Sequence, residues 1–303
     1  LKRWTTVTVD FLSDDSGEAE IVAALGFWQG GMANGGRSTG TAYFDNISVV
    51  KVTDELFTLE SKYVKIFIEP SKVTISSQVL QKWLENLDKV YTSYVELMGQ
   101  TPHEGRKLAI QTTKGIYSGY WALAGYPILW SANYTAVEDS FSQMLQYDDW
   151  CFGLLHEMGH VFNIDNSSWN WNDEMFANFR MHYALEKNNG KVYMDGRNGK
   201  QIFTGGEILD MYKIDYDNTI GTKVNDNGIH YMLARISAQI TWEPYKKTFD
   251  YLRKHGSSGR TNYEKFTNFV NTLNRFAKET NPDINVWDYF SDLELQSIKR
   301  QLN

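Results

Sequence analysis

The chain has 303 residues, 42% of them hydrophobic and 22% charged, which excludes wholesale disorder and fibrous architectures and leaves room for two domains. Thirty basic against 37 acidic side chains give a net charge of −7, so neither nucleic acid nor an anionic membrane surface is an expected partner. The longest apolar run, Ile21–Trp28, contains a glycine and falls well short of the roughly 18–20 residues a membrane span needs.

Leu1-Lys2-Arg3-Trp4 runs directly into the alternation Thr5–Val9, which reads as a strand and not as a signal peptide. Across residues 1–52 the alternating runs Trp4–Phe11, Ala19–Gly26 and Thr41–Val52 are separated by glycine- and aspartate-rich turns. That is too few strands for an independent sandwich, so a partial β-sandwich or a small β appendage is expected there. The texture changes near residue 53. Lys62–Glu69 reads as a strand stopped by Pro70, and Ser76–Met98 carries apolar residues at the three-and-four spacing of an amphipathic helix ended by Gly99. Lys107–Thr112 and Gly119–Trp130 read as further strands. Helices are expected over 138–146, 148–163, 172–187, 205–213, 226–241, 243–255, 261–279 and 286–301. The fold class is therefore α+β: a strand-rich N-terminal lobe and a helical C-terminal lobe over 53–303, preceded by the partial sandwich.

His156-Glu157-Met158-Gly159-His160 is an HExxH motif inside one of these helical stretches. Two histidines four residues apart lie about 40° apart on one helix face, so both imidazoles can grip one metal ion. Glu157 projects close by, where its carboxylate can take a proton from an attacking water. The single cysteine, Cys151, permits neither an internal disulfide nor a cysteine-based zinc site. A catalytic zinc wants a third protein ligand. A metzincin arrangement would need glycine at 163 and histidine at 166, but the chain has Asn163 and Asn166. Asp165 sits only five residues past His160 and is hard to fold back. Glu174, opening the next helical stretch, is the better candidate, with Asn178 on the same face able to orient a ligand histidine. Asp173 is its rival.

HExxH followed by a glutamate on the next helix has the form of a gluzincin, a zincin-like metallopeptidase. Gly119-Tyr120-Trp121-Ala122-Leu123-Ala124-Gly125-Tyr126-Pro127-Ile128, followed by HExGH and Glu-x3-Asn, resembles the enhancin-like peptidase family M-60 over roughly residues 55–300. Ile240-Thr241-Trp242-Glu243-Pro244-Tyr245 is similar to that family's C-terminal lobe. The resemblance implies one catalytic zinc on His156, His160 and Glu174, with Glu157 as general base. It also implies secretion or display at the cell surface, and mucin-like O-glycosylated proteins as substrates. Asn163 departs from the glutamine that members often carry after the second histidine. Gluzincins commonly stabilise the oxyanion from a later helix, which makes His230 and Tyr231 the residues to examine. A cleft-bordering strand usually pairs with the substrate backbone; Gly119–Tyr126 suits that role, with Gly119 and Gly125 permitting close approach. Trp121, Tyr126 and Trp130 could stack on sugar rings or fill the core. Thr41–Val50 resembles the last strand of galactose-binding-like jelly rolls, the fold of many carbohydrate-binding modules. That resemblance implies a structural Ca²⁺ near Asp45, against which ordinary turn chemistry stands as the simpler account. The expected protein is a monomeric zinc endopeptidase. A protease indifferent to glycans, and a glycan-binding or adhesion protein without turnover, are the alternatives.

Overall fold

A computed structural model of the chain describes residues 47, 56–114, 116, 120–133, 135–163, 167–197 and 200–303. The partial β-sandwich expected over 1–52, the calcium expected at Asp45, and Gly119, Asp165 and Asn166 lie outside the described residues.

The chain order is β1 (Phe57–Glu60), β2 (Val64–Ile68), α1 (Ser77–Met98), β3 (Leu108–Thr113), β4 (Ala122–Leu123), β5 (Ile128–Ser131), α2 (Ala136–Tyr147), α3 (Phe152–Val161) and α4 (Asp173–Asn188). A hairpin of β6 (Lys191–Arg197) and β7 (Lys200–Thr204) follows. The chain then runs through α5 (Ile208–Thr219), α6 (Asp226–Ala234), α7 (Ser237–Ile240), α8 (Glu243–His255), α9 (Asn262–Thr280) and α10 (Asp292–Leu302). Leu56–Asn303 form one compact unit, and no helix among the described residues is long and apolar enough to cross a membrane.

Among the described residues one sheet has the strand order β1-β2-β3-β5-β4. β2, β3 and β5 are parallel (Val64 opposite Leu108, Ile110 opposite Ile128), while β1 and β4 run antiparallel at the two edges. Parallel neighbours need a crossover, and α1 supplies the one between β2 and β3. Val64, Ile66 and Ile68 alternate onto the buried face that α1 covers with Leu80, Leu84, Leu87 and Val90. Burying each such side chain contributes about 1.5–3 kcal/mol, and truncating Leu87 to alanine costs about 2–5 kcal/mol. α1 begins where Ser76 Oγ accepts the Val79 N–H, and stops at Gly99, whose φ of 67° suits a residue without Cβ.

The helices differ from the sequence expectation at three places. The stretch from Asp148 is not continuous helix: Asp148 (φ 56°) closes α2 and Cys151 (φ 70°) precedes α3, which starts only at Phe152. The Asp149 carboxylate, buried between them, accepts the Tyr193 N–H of β6 at 2.8 Å and holds this segment in a turn. Helix 226–241 breaks after Ala234, where Arg235 is drawn onto both oxygens of Glu294 (2.7 and 2.9 Å). Helix 286–301 is a 3₁₀ turn followed by α10, restarted by a capping box of Ser291 and Glu294. Gly119–Trp130, expected as a single strand, folds back as the β4–β5 hairpin in its described part.

Candidate metal centre

α3 is held from several directions. Tyr94 of α1 donates its hydroxyl to Leu155 O at 2.8 Å, and Trp83 donates Nε1–H to Trp150 O at 3.2 Å. Against α4 the approach is close enough that a Cβ on Gly159 would lie 2.7 Å from the Ala177 carbonyl oxygen. The glycine within HExGH is thus what lets the two helices meet. α4 begins at Asn172, whose Oδ1 accepts the Met175 N–H at 2.9 Å, so Asp173 and Glu174 occupy the first turn, where the helix dipole favours anions.

His156 and His160 present their Nε2 atoms to each other at 2.9 Å. Glu174 Oε2 lies 3.0 Å from His156 Nε2 and 3.5 Å from His160 Nε2. One ligand atom from each of the three residues falls within 4.8 Å of the others. The outer ring nitrogens are both engaged: His156 donates Nδ1–H to Asn178 Oδ1 at 2.8 Å, and His160 donates Nδ1–H to Asp173 Oδ2 at 2.6 Å. With Nδ1 protonated on each neutral ring, two lone pairs and a carboxylate converge with no donor between them. Only a proton or a cation relieves that arrangement. Donor atoms 2.0–2.2 Å from a tetrahedral zinc stand roughly 3.3–3.5 Å apart, so the three side chains fit such an ion after adjustments of a few tenths of an ångström.

The same convergence sets the protonation of the metal-free cluster. Burial disfavours a His160 imidazolium, but Asp173 and Glu174 outweigh it and lift the ring to about 9. Hydrogen bonds from His156 and His160 hold Glu174 well below the usual carboxylate range. Asp173 is also held low, as His160 and Arg180 overcome the effect of its burial. Glu157 goes the other way: burial raises it, against the pull of both histidines and the backbone amide of Ala124 just beyond β4. A carboxyl raised in this way is better matched to a proton-transfer role near neutral pH. The side chains of His156 and His160 are 15% and 13% exposed but Glu174 is 68% exposed, so the cluster is open to solvent on the Glu174 side.

β4, the sheet edge, packs against α3. Trp121 lies so close to Gly153 that a Cβ there would meet its ring at 2.4 Å, which places this half-buried indole one turn before His156. Gly125 and Tyr126 follow in the β4–β5 turn. Tyr126 is 38% exposed, with the His103 ring 4.6 Å away and the Arg106 guanidinium 5.3 Å from its centroid. Trp130 is fully buried, edge-on to Phe141, and belongs to the core.

His230 does not face the cluster. It is completely buried, 2.9 Å from His182 Nδ1, with its ring stacked 3.7 Å from that of Tyr212. Tyr231 packs on Tyr216, with the Arg235 guanidinium over its ring. None of these contacts is with a residue of the cluster, so the oxyanion role expected of His230 and Tyr231 gains no support from the packing of α6. Sequence reasoning overlooked Arg180, seven residues after Asp173 on the same face of α4, and weighed Asp173 only as a ligand. An arginine set between Phe179 and Met181, two helical turns from an acid, is the sequence signal that could have marked the pair.

Fold and cluster together define a mixed α+β domain with a candidate three-donor metal centre on adjoining helices. The model of the peptidase M60 family, enhancin and enhancin-like, matches residues 49–292, and the chain belongs to this peptidase family. No curated protein matches the chain. Among solved structures it is similar to a mutant of a functionally unknown conserved protein from Bacillus anthracis str. Ames, with a TM-score of 0.55 and 13% sequence identity. That match covers 82% of this chain and 52% of the other, so the chain spans about half the length of the protein it resembles in fold.

Proposed function

We propose that the chain is a zinc-dependent endopeptidase that cleaves glycoproteins, mucin-like O-glycosylated ones in particular. His156, His160 and Glu174 would hold the metal and Glu157 would act as general base. The observation that carries this reading is the convergence of His156 Nε2, His160 Nε2 and a Glu174 oxygen, with both outer imidazole nitrogens anchored. Family membership supports peptide-bond hydrolysis and zinc dependence. Zinc held there would supply Lewis acidity and make the attacking water easier to deprotonate near neutral pH.

The remaining work falls to the protein's own side chains. Glu157 takes the proton of the attacking water and passes it to the leaving amine, a task for which its burial suits it. Asn178 and Asp173 keep both histidines in the tautomer whose Nε2 faces inward. The outer edge of β4, unpaired among the described residues, can accept an extended substrate backbone by strand addition, with Trp121, Gly125 and Tyr126 lining that side. Tyr126, exposed beside His103 and Arg106, is the ring best placed to meet a sugar. Residues 1–52 are assigned, on sequence alone, to a partial carbohydrate-binding sandwich, and the enzyme to a secreted or cell-surface monomer.

The test is mass spectrometry of cleavage sites on one mucin-type glycoprotein, before and after enzymatic deglycosylation. Cleavage confined to the glycosylated form is expected. Equal cleavage of both forms would sink the glycan-dependent reading and leave a general gluzincin protease. No cleavage of either, with binding retained, would leave a glycan-binding protein.

A further inference from the structure

Arg180 is the most unusual charge in the molecule. It is fully buried on α4, the helix that carries Glu174 and Asn178. Nη1 donates to the Gly159 carbonyl at 2.9 Å, in the last turn of the HExxH helix, and lies 3.7 Å from Asp173 Oδ1. Nε donates to the Met98 sulfur at 3.5 Å, and Nη2 is buried with no hydrogen-bond partner among the described residues. A guanidinium sealed from water with the Nη2 donors unsatisfied is a poor device for stability, since desolvation offsets what such a pair gains. Its position explains it better. Asp173 has one oxygen on His160 Nδ1 at 2.6 Å, while the other takes the Asn170 Nδ2–H at 3.1 Å and faces Arg180. The guanidinium therefore fixes the carboxylate that fixes the ring. Through Gly159 it also ties the end of α3 to α4 at a point of close approach between those helices.

We infer that Arg180 is a positioning residue for the metal centre: it clamps Asp173 onto His160 Nδ1, so that His160 Nε2 is held toward His156 and Glu174. The inference rests on the zinc reading above and goes beyond it to a residue that touches neither metal nor substrate. A neutral replacement leaves His156, His160 and Glu174 in place but frees the Asp173 carboxylate to turn away, so zinc affinity falls while the protein still folds. Loss of a partner of this kind typically costs ~10–100-fold in metal affinity.

The experiment titrates zinc into the full chain against a competing chromogenic chelator, for wild type, Arg180→Met, Asp173→Asn and the double variant, with circular dichroism to confirm the fold. Expected are one zinc per wild-type chain, a ~10–100-fold weaker site in each single variant, and little further loss in the double variant, because both changes break one chain of contacts. In ¹H–¹⁵N spectra the His160 Nδ1–H proton, carried downfield in wild type by its 2.6 Å bond to Asp173, should move upfield or be lost to exchange in Arg180→Met. Should Arg180→Met fail to fold, Arg180→Gln takes its place, keeping a donor for Gly159 while removing the charge, with the same expectation. Wild-type zinc affinity in a folded Arg180 variant, or losses that simply add in the double variant, would overturn the inference and leave the metal reading standing. Absence of zinc binding by wild type, or full affinity in His160→Ala, would overturn the metal reading and this inference with it.

Discussion

The domain holds two pairs of histidines in ring contact, and they have opposite characters. His156 and His160 meet through Nε2 at 2.9 Å; His182 and His230 meet through Nδ1 and Nε2 at the same distance. Each pair has a glutamate at hand, Glu174 for the first and Glu186 for the second. Glu174 enters between the two rings, whereas Glu186 reaches His182 from its far nitrogen at 3.3 Å and leaves His230 Nδ1 buried with no partner among the described residues. The first pair opens to solvent beside an exposed carboxylate; the second is enclosed by Phe179, Tyr212 and Trp242. Their protonation follows. Two acids lift His160 to about 9, while burial and the neighbouring His182 hold His230 well below its usual value. Proximity of two imidazoles alone does not mark a candidate metal centre; convergence of a third acceptor, with the outer nitrogens anchored, does.

The largest expected effect separates chemistry from binding at the first pair. Glu157→Ala should lower kcat/KM by ~10²–10⁴-fold, the range for loss of a general base, while zinc content stays at the wild-type level. Zinc content that fell in step with activity would instead make Glu157 a structural member of the cluster.

Gly159→Ala comes next. Its Cβ would stand 2.7 Å from Ala177 O, backbone that cannot yield as a flexible side chain can, so α3 and α4 must separate. About 1–3 kcal/mol of stability should be lost in urea unfolding, together with part of the zinc affinity, whereas His182 and His230 keep their contact.

The second pair predicts a pH dependence. His230 binds its proton less tightly folded than unfolded, so below about pH 6.5 the unfolded chain takes up the extra proton and this contribution to stability is lost as pH falls. The slope is at most ~1.4 kcal/mol per pH unit. Denaturation at pH 7, 6 and 5 should show His230→Phe losing less stability on acidification than wild type, with zinc content unchanged at pH 7. A reduced zinc content in that variant would join the two pairs into one site.

The smallest effect belongs to the exposed ring proposed to meet substrate. Tyr126→Ala should raise KM a few-fold for a glycosylated substrate and leave a bare peptide unaffected, as expected for one exposed ring worth about 1 kcal/mol of contact. Equal changes on both substrates would place Tyr126 at the peptide and not at the sugar.

Features encoded within one or two helical turns are legible in the amino-acid sequence. The four-residue step from His156 to His160, the same step from Glu174 to Asn178, the Ser76 and Gly99 ends of α1 and the bounds of α8 all follow from local geometry. Two further signals of equally short range account for elements that the sequence expectations lacked. Ser291-Asp292-Leu293-Glu294 is a capping box that restarts a helix, and the sequence alternates on either side of the turn dipeptide Asn198-Gly199, its described residues pairing as β6 and β7. The break before α3 has no local signal, because a backbone N–H from residue 193 holds Asp149 out of the helix.

By itself, then, the sequence determined the family, the helix that carries two imidazoles on one face, and the two acids competing for the third position. Which acid turns toward the two paired imidazoles was decided only in three dimensions. Asp173 is taken by His160 Nδ1 and Arg180, leaving Glu174 to face the paired Nε2 atoms. His230 was likewise assigned to the core by the packing of α6 against α4 and α5. The physical reason is range: helix periodicity acts over four residues, whereas the direction of a carboxylate or the burial of a ring depends on partners far along the chain.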